Sequence, residues 1–250
     1  MTERKILLVT GGSRGIGAAT ARLAARQGYD VAINYVGNER AAHEVLADIE
    51  KTNGRGIAIK GDMGSDADIA RMYEEVDKKL GTLTHLVNNA GIIGSSSRMA
   101  NADPAMMRRV IDVNVTGAIL VAREAVRRMS TAHGGKGGAI VNLGSMATYL
   151  GAPGEFVWYA ASKGAIDSFT IGLSKEVAGE GVRVNAVAPG LIDTEIHASG
   201  GQPDRIERMQ SMIPMGRAGS AAEVADAILY LLSEQASYVT GTIVRISGGR

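Results

Sequence analysis

Short apolar segments rich in β-branched residues alternate with longer segments of helical periodicity along the whole chain. This alternation predicts consecutive strand–helix–strand units, whose strands run parallel and are buried on both faces. We therefore expect an α/β fold, a doubly wound parallel seven-stranded sheet with helices on both faces. The predicted strands are Lys5–Thr10, Val31–Tyr35, Gly56–Lys60, His85–Asn88, Ala139–Leu143, Val182–Ala188 and Ile243–Ile246.

The chain of 250 residues shows no change of composition that would mark a linker, and no internal repeat. A single domain over residues 1–250 is therefore predicted. Two helix starts are clear from local signals. Asp103 is a cap followed by Pro104 at the first helical position, and Ser220 with Glu223 forms a capping box.

A glycine-rich segment, TGGSRGIG at residues 10–17, lies between the first predicted strand and an alanine-rich helical segment. The spacing of Gly11, Gly15 and Gly17 fits a structural turn as well as a binding loop. The order of strand, glycine turn and helix start favours an anion site, because unpaired amides and the helix dipole attract phosphate. We therefore expect a dinucleotide cofactor at this loop.

The end of the second predicted strand bears on the choice between NAD and NADP. It reads Asn34-Tyr35, without the carboxylate that binds the ribose 2′-hydroxyl in NAD-preferring folds, and Asp30 is at the opposite end. Arg14 and Arg40 are candidates to pair with a 2′-phosphate, although either also fits a solvated surface charge. NADP(H) is the expected cofactor, with NAD(H) as the alternative.

The segment YAASK places Tyr159 one helical turn before Lys163. Such a pair is also common on helix surfaces, so its context decides its role. In a reductase the phenol would donate a proton to the oxygen that becomes negative after hydride transfer. A nearby ammonium would lower the phenol pKa from about 10 toward the working range. Ser145, at the end of the fifth strand, fits either a donor to that oxygen or a turn cap.

The rest of the composition excludes several classes of function. Lys and Arg number 27 against 26 for Asp and Glu, and aromatic residues are few, so no nucleic-acid partner is expected. There is no cysteine and the four histidines are scattered, so no metal site is expected. No apolar run is long enough for a membrane span or a signal peptide, and a cytoplasmic location follows as the expectation.

Several motifs occur together in the order typical of one family. The glycine loop is followed by NNAG at residues 88–91, and then by Asn114, Ser145, Tyr159, Lys163 and the pair Pro189-Gly190. This order, over essentially the whole chain, resembles the short-chain dehydrogenase/reductase family. The bacterial NADP(H)-linked group with β-ketoacyl-carrier-protein reductases and sugar-dehydrogenase-like oxidoreductases is the most similar. The resemblance implies a Rossmann-like domain, typically in a homotetramer, that moves a hydride between a nicotinamide and a carbonyl or alcohol.

The same resemblance implies Tyr159 as the acid/base, Lys163 as its activator, Ser145 as the carbonyl-orienting hydroxyl and Asn114 as a proton-relay position. It also implies cofactor contacts at Gly11, Ser13, Arg14, Gly15, Ile16, Gly17, Asn34, Tyr35, Asp62, Met63, Asn89, Ala90, Gly91, Tyr159, Lys163, Pro189, Gly190, Ile192 and Thr194. Structural alternatives stay open for some of them. Asn114 also fits a buried tie between elements, and Asp62 a helix cap.

Residues 193–217 are polar, interrupted by glycines and rich in methionine, which is typical of a mobile lid over a substrate pocket. Methionines three residues apart, such as Met209 and Met212, fit ordinary helix packing as well. His197 is either a substrate contact or an exposed residue. The segment Gly151–Trp158 looks longer than is usual for the family and is expected to shape the pocket.

Three functions are open at this point. The expected one is an NADP(H)-dependent oxidoreductase acting on a small ketone, aldehyde or secondary alcohol. A β-ketoacyl-carrier-protein reductase of fatty-acid synthesis would need a basic patch near the pocket, for which the candidates are Arg98, Arg108, Arg109, Arg127 and Arg128. A non-catalytic dinucleotide-binding regulator would have no functional need for the full set of four catalytic candidates.

Overall fold

A seven-stranded parallel sheet forms the centre of the computed structural model, which describes residues 4–52 and 54–250. Residues 1–3 and 53 of the predicted domain lie outside the described residues. The strands are β1 (Ile6–Val9), β2 (Asp30–Tyr35), β3 (Gly56–Lys60), β4 (His85–Asn88), β5 (Gly138–Leu143), β6 (Val182–Pro189) and β9 (Ile243–Ile246). Their spatial order is β3-β2-β1-β4-β5-β6-β9, and the seven predicted strands are confirmed, each end within one residue.

Helices cover both faces of the sheet, as the apolar strands require. One face packs against α1 (Gly15–Arg26), α2 (Glu39–Glu50) and α10 (Ala221–Leu232), and the other against α3 (Asp66–Lys79), α5 (Ala118–Met129) and α7 (Val157–Val177). Successive residues of β1 alternate between the two cores, with Leu7 on the first face and Leu8 on the second. The strand order reverses between β1 and β4, which opens a crevice at the carboxyl ends of these strands.

Shorter elements surround that crevice. They are α4 (Pro104–Ile111), α6 (Ala147–Leu150), α8 (Ile196–Ser199), α9 (Arg205–Met209) and a two-stranded parallel ribbon of β7 (Ile192–Asp193) and β8 (Gly219–Ser220). Both predicted helix starts are confirmed, since Asp103 accepts from the first turn of α4 and the Ser220–Glu223 capping box begins α10. Within the described ranges, no helix combines the length and the apolar character needed to cross a membrane.

The helix predicted to start near Asp103 is not continuous. Between α4 and α5 the chain makes a π-helical turn over Asp112–Gly117. Gly117 packs directly against the backbone of Met63, which follows β3. A side-chain carbon on Gly117 would lie 1.8 Å from the Met63 carbonyl oxygen. The wider turn also places Asn114 inward, and π turns of this kind are frequent at functional sites.

The end of the sheet opposite the crevice is closed by ion pairs. Asp30, fully buried at the start of β2, pairs with Arg4 at 3.0 Å and with Arg55 at 2.7 Å. The prediction that this carboxylate is remote from the crevice is confirmed. Its negative charge is therefore used in folding and cannot select a cofactor ribose.

Candidate active site

One cavity of about 1160 Å³ occupies the crevice, between the strand ends and the segment 193–217. It brings together nearly all the residues predicted to form the site. Those that line it are Gly11, Ser13, Arg14, Gly15, Ile16, Asn34, Tyr35, Asp62, Met63, Asn89, Ala90, Gly91, Ser145, Tyr159, Lys163, Pro189, Gly190, Ile192 and Thr194. Gly17 and Asn114 do not line it, and their contacts lie just behind the cavity wall.

Hydrogen bonds from Asn89 hold the glycine loop in shape. Its side-chain amide donates to the carbonyls of Thr10 and Gly11 at 2.8 and 3.0 Å, while its backbone amide donates to the Thr10 hydroxyl. A side-chain carbon on Gly17 would lie 2.4 Å from the Gly11 carbonyl oxygen, so only glycine allows this approach. Gly17 and Asn89 therefore shape the loop that lines the cavity.

The first turn of α1 borders the cavity through Gly15 and Ile16. Arg14, at the N-cap, provides no side-chain cap, and no acidic residue lies in the first turn. An uncapped helix start of this kind stabilises a phosphate group. Arg14 lines the cavity beside this helix start, whereas Arg40 is solvent-exposed on α2 and lies 3.6 Å from Glu44. The expectation that Arg40 reaches a cofactor phosphate is therefore not supported, because the helix directs it outward.

At the other end of the loop, Asn34 and Asp62 already have protein partners. The Asn34 side chain is fully buried, accepts from the Gly11 amide at 3.2 Å and donates to the Gly61 carbonyl at 2.8 Å. Asp62 accepts from Arg109 at 2.5 Å and from the Gly64 amide at 2.8 Å. Burial opposes ionisation of Asp62, but these donors outweigh it and hold its pKa below the usual range.

The two hydroxyl groups predicted to contact a carbonyl oxygen lie together. Ser145 follows the carboxyl end of β5, and Tyr159 lies in the first turn of α7. The Ser145 oxygen accepts from the Ala147 amide at 3.0 Å, which fixes its position. Burial raises the pKa of Tyr159, and the hydrogen bond with Ser145 only partly opposes this rise. Tyr159 is therefore a protonated phenol near neutral pH, which is the form that donates a proton.

Lys163 does not bond directly to Tyr159. Its ammonium donates to the Leu143 carbonyl at 2.6 Å and lies 5.7 Å from the centroid of the tyrosine ring. Burial lowers the pKa of Lys163 to about 8, against the opposing charge of Asp167. The pKa of Tyr159 is raised and not lowered as expected, because burial of the phenol determines the direction of the shift. The role of Lys163 as activator stays a prediction.

Asn114 is satisfied entirely by the protein. Its side chain exchanges two hydrogen bonds of 2.8 Å with the backbone of Ile92 and donates to the Ser162 hydroxyl at 3.1 Å. The residue ties the π-helical turn to the segment after β4 and to α7. A side-chain carbon on Gly91 would lie 3.3 Å from its oxygen and 3.5 Å from the Lys163 nitrogen, so the two groups approach the same point.

The end of the cavity beyond Tyr159 is mainly apolar. Its lining includes Ile93, Met106, Met146, Leu150, Phe156, Ile196, Met209 and Met212. Residues 151–158 help to build it, since Phe156 is buried and the Trp158 indole donates to the Ile93 carbonyl at 2.9 Å. Met209 and Met212 line the cavity, while the role of their segment as a mobile lid stays a prediction.

The segment 193–217 is attached to this wall by polar contacts. Arg205 pairs with Glu155 at 2.6 Å, and its guanidinium lies 5.4 Å from the centroid of the Phe156 ring. The Arg205 side chain is 14% exposed. His197 is half-buried and bonds to the Ile192 carbonyl at 2.9 Å. The interpretation of His197 as an exposed residue is therefore wrong, and burial lowers its pKa.

The comparisons with known proteins agree with this site. The sequence profile of the family described as "Enoyl-(Acyl carrier protein) reductase" matches residues 11–250. The chain is 52% identical over 245 residues to the uncharacterized oxidoreductase YgfF of Escherichia coli (strain K12), covering 98% of this chain and 99% of that one. The chain belongs to the short-chain dehydrogenase/reductase family. It is therefore an NAD(P)-dependent oxidoreductase of that family.

Two solved structures of similar proteins contain a nicotinamide cofactor. A short-chain dehydrogenase from Burkholderia cenocepacia in complex with NADP is 32% identical, with a TM-score of 0.91 and coverage of 100% and 99% of the two chains. A 3-ketoacyl-(acyl-carrier-protein) reductase from Brucella melitensis complexed with NADH is 30% identical, with the same TM-score and coverage. The cofactor is thus a nicotinamide dinucleotide. The uncapped start of α1 and the adjoining cavity fit its pyrophosphate.

Several residues of this short-chain dehydrogenase/reductase cavity are invisible to sequence motifs. Arg109 reaches Asp62 from a different helix, and Leu143 contributes only a backbone carbonyl to Lys163. Arg250 lines the cavity from the end of the chain. Helical spacing could have indicated one further residue: Asp167 lies one turn after Lys163 on the buried stripe of α7. Among the described residues, no group of His, Asp or Glu side chains is arranged to hold a metal ion.

Proposed function

We propose that the protein is an NADP(H)-dependent oxidoreductase that acts on a small ketone, an aldehyde or a secondary alcohol, with Tyr159 as the acid/base. The observation that carries the proposal is the convergence of Ser145, Tyr159 and Lys163 on the cavity that the glycine loop also lines. A nicotinamide bound there supplies or accepts the hydride. The side chains of the protein then donate or accept the proton and orient the substrate oxygen.

In the direction of reduction, the hydroxyls of Ser145 and Tyr159 orient the carbonyl oxygen. As the hydride reaches the carbonyl carbon, the phenol proton of Tyr159 passes to that oxygen, and solvent later restores the proton. Because the pKa of Tyr159 is raised, the phenol is in the protonated form that this donation requires near neutral pH. In the direction of oxidation the phenol must first lose its proton, so the rate should rise with pH.

The preference for NADP(H) is supported by Arg14, which lies beside the free amides of α1, and by the lack of a carboxylate at the end of β2. A 2′-phosphate would meet the Arg14 cation and no carboxylate from the end of β2. One nearby carboxylate already has a cationic partner, since Asp62 is neutralised by Arg109.

The apolar end of the cavity supports an uncharged substrate of modest size. Two arginines that line the cavity, Arg205 and Arg208, are paired with Glu155 and Asp204 at 2.6 and 2.8 Å. Met209 and Met212 can adjust to different apolar groups. We therefore place simple ketones and aldehydes ahead of charged substrates.

The carrier-protein reductase is the second candidate, since the relative from Brucella melitensis is described by that activity. The basic patch that such a reductase would need is dispersed in this chain. Arg127 and Arg128 pair with Glu124 on α5, while Arg109 binds Asp62 inside the cavity. This arrangement offers less for an acidic carrier protein to bind. The homotetramer and the cytoplasmic location stay predictions.

The experiment is to follow nicotinamide absorbance with NADPH, and separately with NADH, against ketones, aldehydes and β-ketoacyl thioesters. We expect NADPH oxidation with at least one simple ketone or aldehyde. Turnover confined to β-ketoacyl thioesters would support the carrier-protein reductase instead. Tight cofactor binding without turnover of any member of the panel would contradict the proposal and favour a non-catalytic regulator.

A further inference from the structure

Helix α7 carries a buried carboxylate that the reaction described above does not use. Asp167 lies one turn beyond Lys163, on the same buried stripe. The residue is 8% exposed, and within the described part of the chain neither carboxylate oxygen accepts a hydrogen bond in good geometry. Burying a carboxylate in this way costs free energy unless nearby positive charge compensates for the lost water. Packing alone gives no reason for an acidic residue here.

The carboxylate lies directly behind the active-site end of β5. A side-chain carbon on Gly144 would lie 2.8 Å from the Asp167 Oδ1 atom, so the carboxylate fills the space that this glycine leaves. The residue before it, Leu143, accepts the hydrogen bond of Lys163, and the residue after it is Ser145. Asp167 and Lys163 therefore contact the same short segment, which also carries the substrate-orienting hydroxyl.

Four groups face Asp167 from the surrounding elements. They are Lys163 on its own helix, the hydroxyls of Thr148 and Tyr149 on α6, and Arg245 on β9. The guanidinium of Arg245 is stacked 4.0 Å from the centroid of the Tyr149 ring, which fixes it at this edge. Burial raises the pKa of Asp167, and the two hydroxyls and two cations oppose the rise.

We propose that Asp167 is a positioning residue that keeps Lys163 charged and aligned behind Tyr159. A buried ammonium without a counter-charge loses its proton more easily, and with it the positive field that it exerts on the phenol. Asp167 supplies that counter-charge and acts on Tyr159 only through the lysine. Its effect on turnover rests on the proposed function, whereas the coupling between the two charges does not.

The test replaces Asp167 with asparagine, which keeps the shape and removes the charge. The titration of the Lys163 side chain is followed by NMR on lysine-labelled protein, with Lys163→Arg to assign the signal. In Asp167→Asn we expect the midpoint to fall by about one pH unit. The alkaline limb of kcat/KM for reduction should move in the same direction. Ser174→Ala, at a buried position on the same helix, is the matched control and should leave both unchanged.

A second variant tests the same coupling with the opposite sign. Arg245 is exposed on the edge strand, so Arg245→Gln is expected to fold, and it removes the cation that competes for Asp167. The Lys163 midpoint should then rise. The inference is overturned if the Lys163 midpoint is unchanged in both variants, or if Asp167→Asn lowers activity equally at every pH. A midpoint that moves as expected, in a protein that reduces no carbonyl, would contradict the proposed function and leave the charge coupling intact.

Discussion

At the scale of single residues, the site is controlled by how burial and charge act on a few side chains. Tyr159 is kept protonated by burial, and Lys163 has its pKa lowered to about 8 by the same effect. Sequence identifies both residues by their spacing, but spacing does not reveal their depth. The lysine's hydrogen bond to the Leu143 backbone carbonyl follows from the tertiary fold alone.

The proposed preference for NADP(H) rests on Arg14. Replacing it by alanine should reduce the preference for NADPH over NADH by roughly 10- to 100-fold, the effect of losing a charge-assisted hydrogen bond. The ratio of the two kcat/KM values measures this. Arg40→Ala is the matched control, because that side chain is exposed on α2 and should leave the ratio unchanged. Equal ratios for the parent and the Arg14 variant would show that the phosphate is bound elsewhere.

At the scale of elements, the segment 193–217 and the wall built by residues 151–158 close the substrate end. Their main connection is the pair Arg205–Glu155, whose side chains are 14% and 25% exposed. A partly buried pair contributes more than a surface pair, since solvent screens it less. We therefore predict that this connection limits opening of the segment 193–217.

Breaking the pair tests that role. Arg205→Gln should speed proteolytic cleavage within residues 193–217 by roughly threefold to tenfold, because the segment loses a tertiary contact and opens more often. It should also raise KM for the carbonyl substrate. Arg217→Gln, which breaks an exposed pair with Glu223 at the end of the segment, is the control. Unchanged cleavage in Arg205→Gln would show that the lid is held by apolar packing instead.

Strands and helix caps were predictable because they depend on local periodicity and short-range hydrogen bonds. The capping residues Asp103 and Ser220 are examples. The π-helical turn over Asp112–Gly117 was not predictable, since it depends on the contact of Gly117 with Met63, a residue distant in the sequence. For the same reason the sequence indicated which residues meet at the crevice, and it left a relay and a structural tie open for Asn114. It gave no sign that the Asn34 side chain forms hydrogen bonds with the protein backbone.

At the scale of the whole molecule, the carboxyl ends of the strands form the active site, and their amino ends have a structural role. His85 begins β4 at the amino ends of the strands. It is 5% exposed and packs edge-on against Tyr29, with the two ring centroids 5.2 Å apart. Burial lowers its pKa from 6.5 to about 3. The folded protein therefore keeps this imidazole neutral in a range where the unfolded chain binds a proton.

This difference makes stability depend on pH. The contribution of His85 is fully present above pH 6.5, and it is lost as the pH falls toward 3, at about 1.4 kcal/mol per pH unit. In His85→Phe, which retains an aromatic ring against Tyr29, the slope of unfolding free energy between pH 6 and pH 4 should decrease by about that amount. Urea unfolding at several pH values measures it, with His43→Phe at an exposed position as the control. Identical slopes in the parent and in His85→Phe would contradict the assignment.

The central claim is that Tyr159 transfers the proton in a nicotinamide-dependent reaction. The most direct measurement compares NADPH binding and carbonyl reduction in the parent and in Tyr159→Phe, with Tyr230→Phe at an exposed position of α10 as the control. We expect the Tyr159 variant to bind NADPH with nearly the parent affinity and to lose turnover by at least about 100-fold. Turnover near the parent level in Tyr159→Phe would contradict the account, because another group would then have to supply the proton.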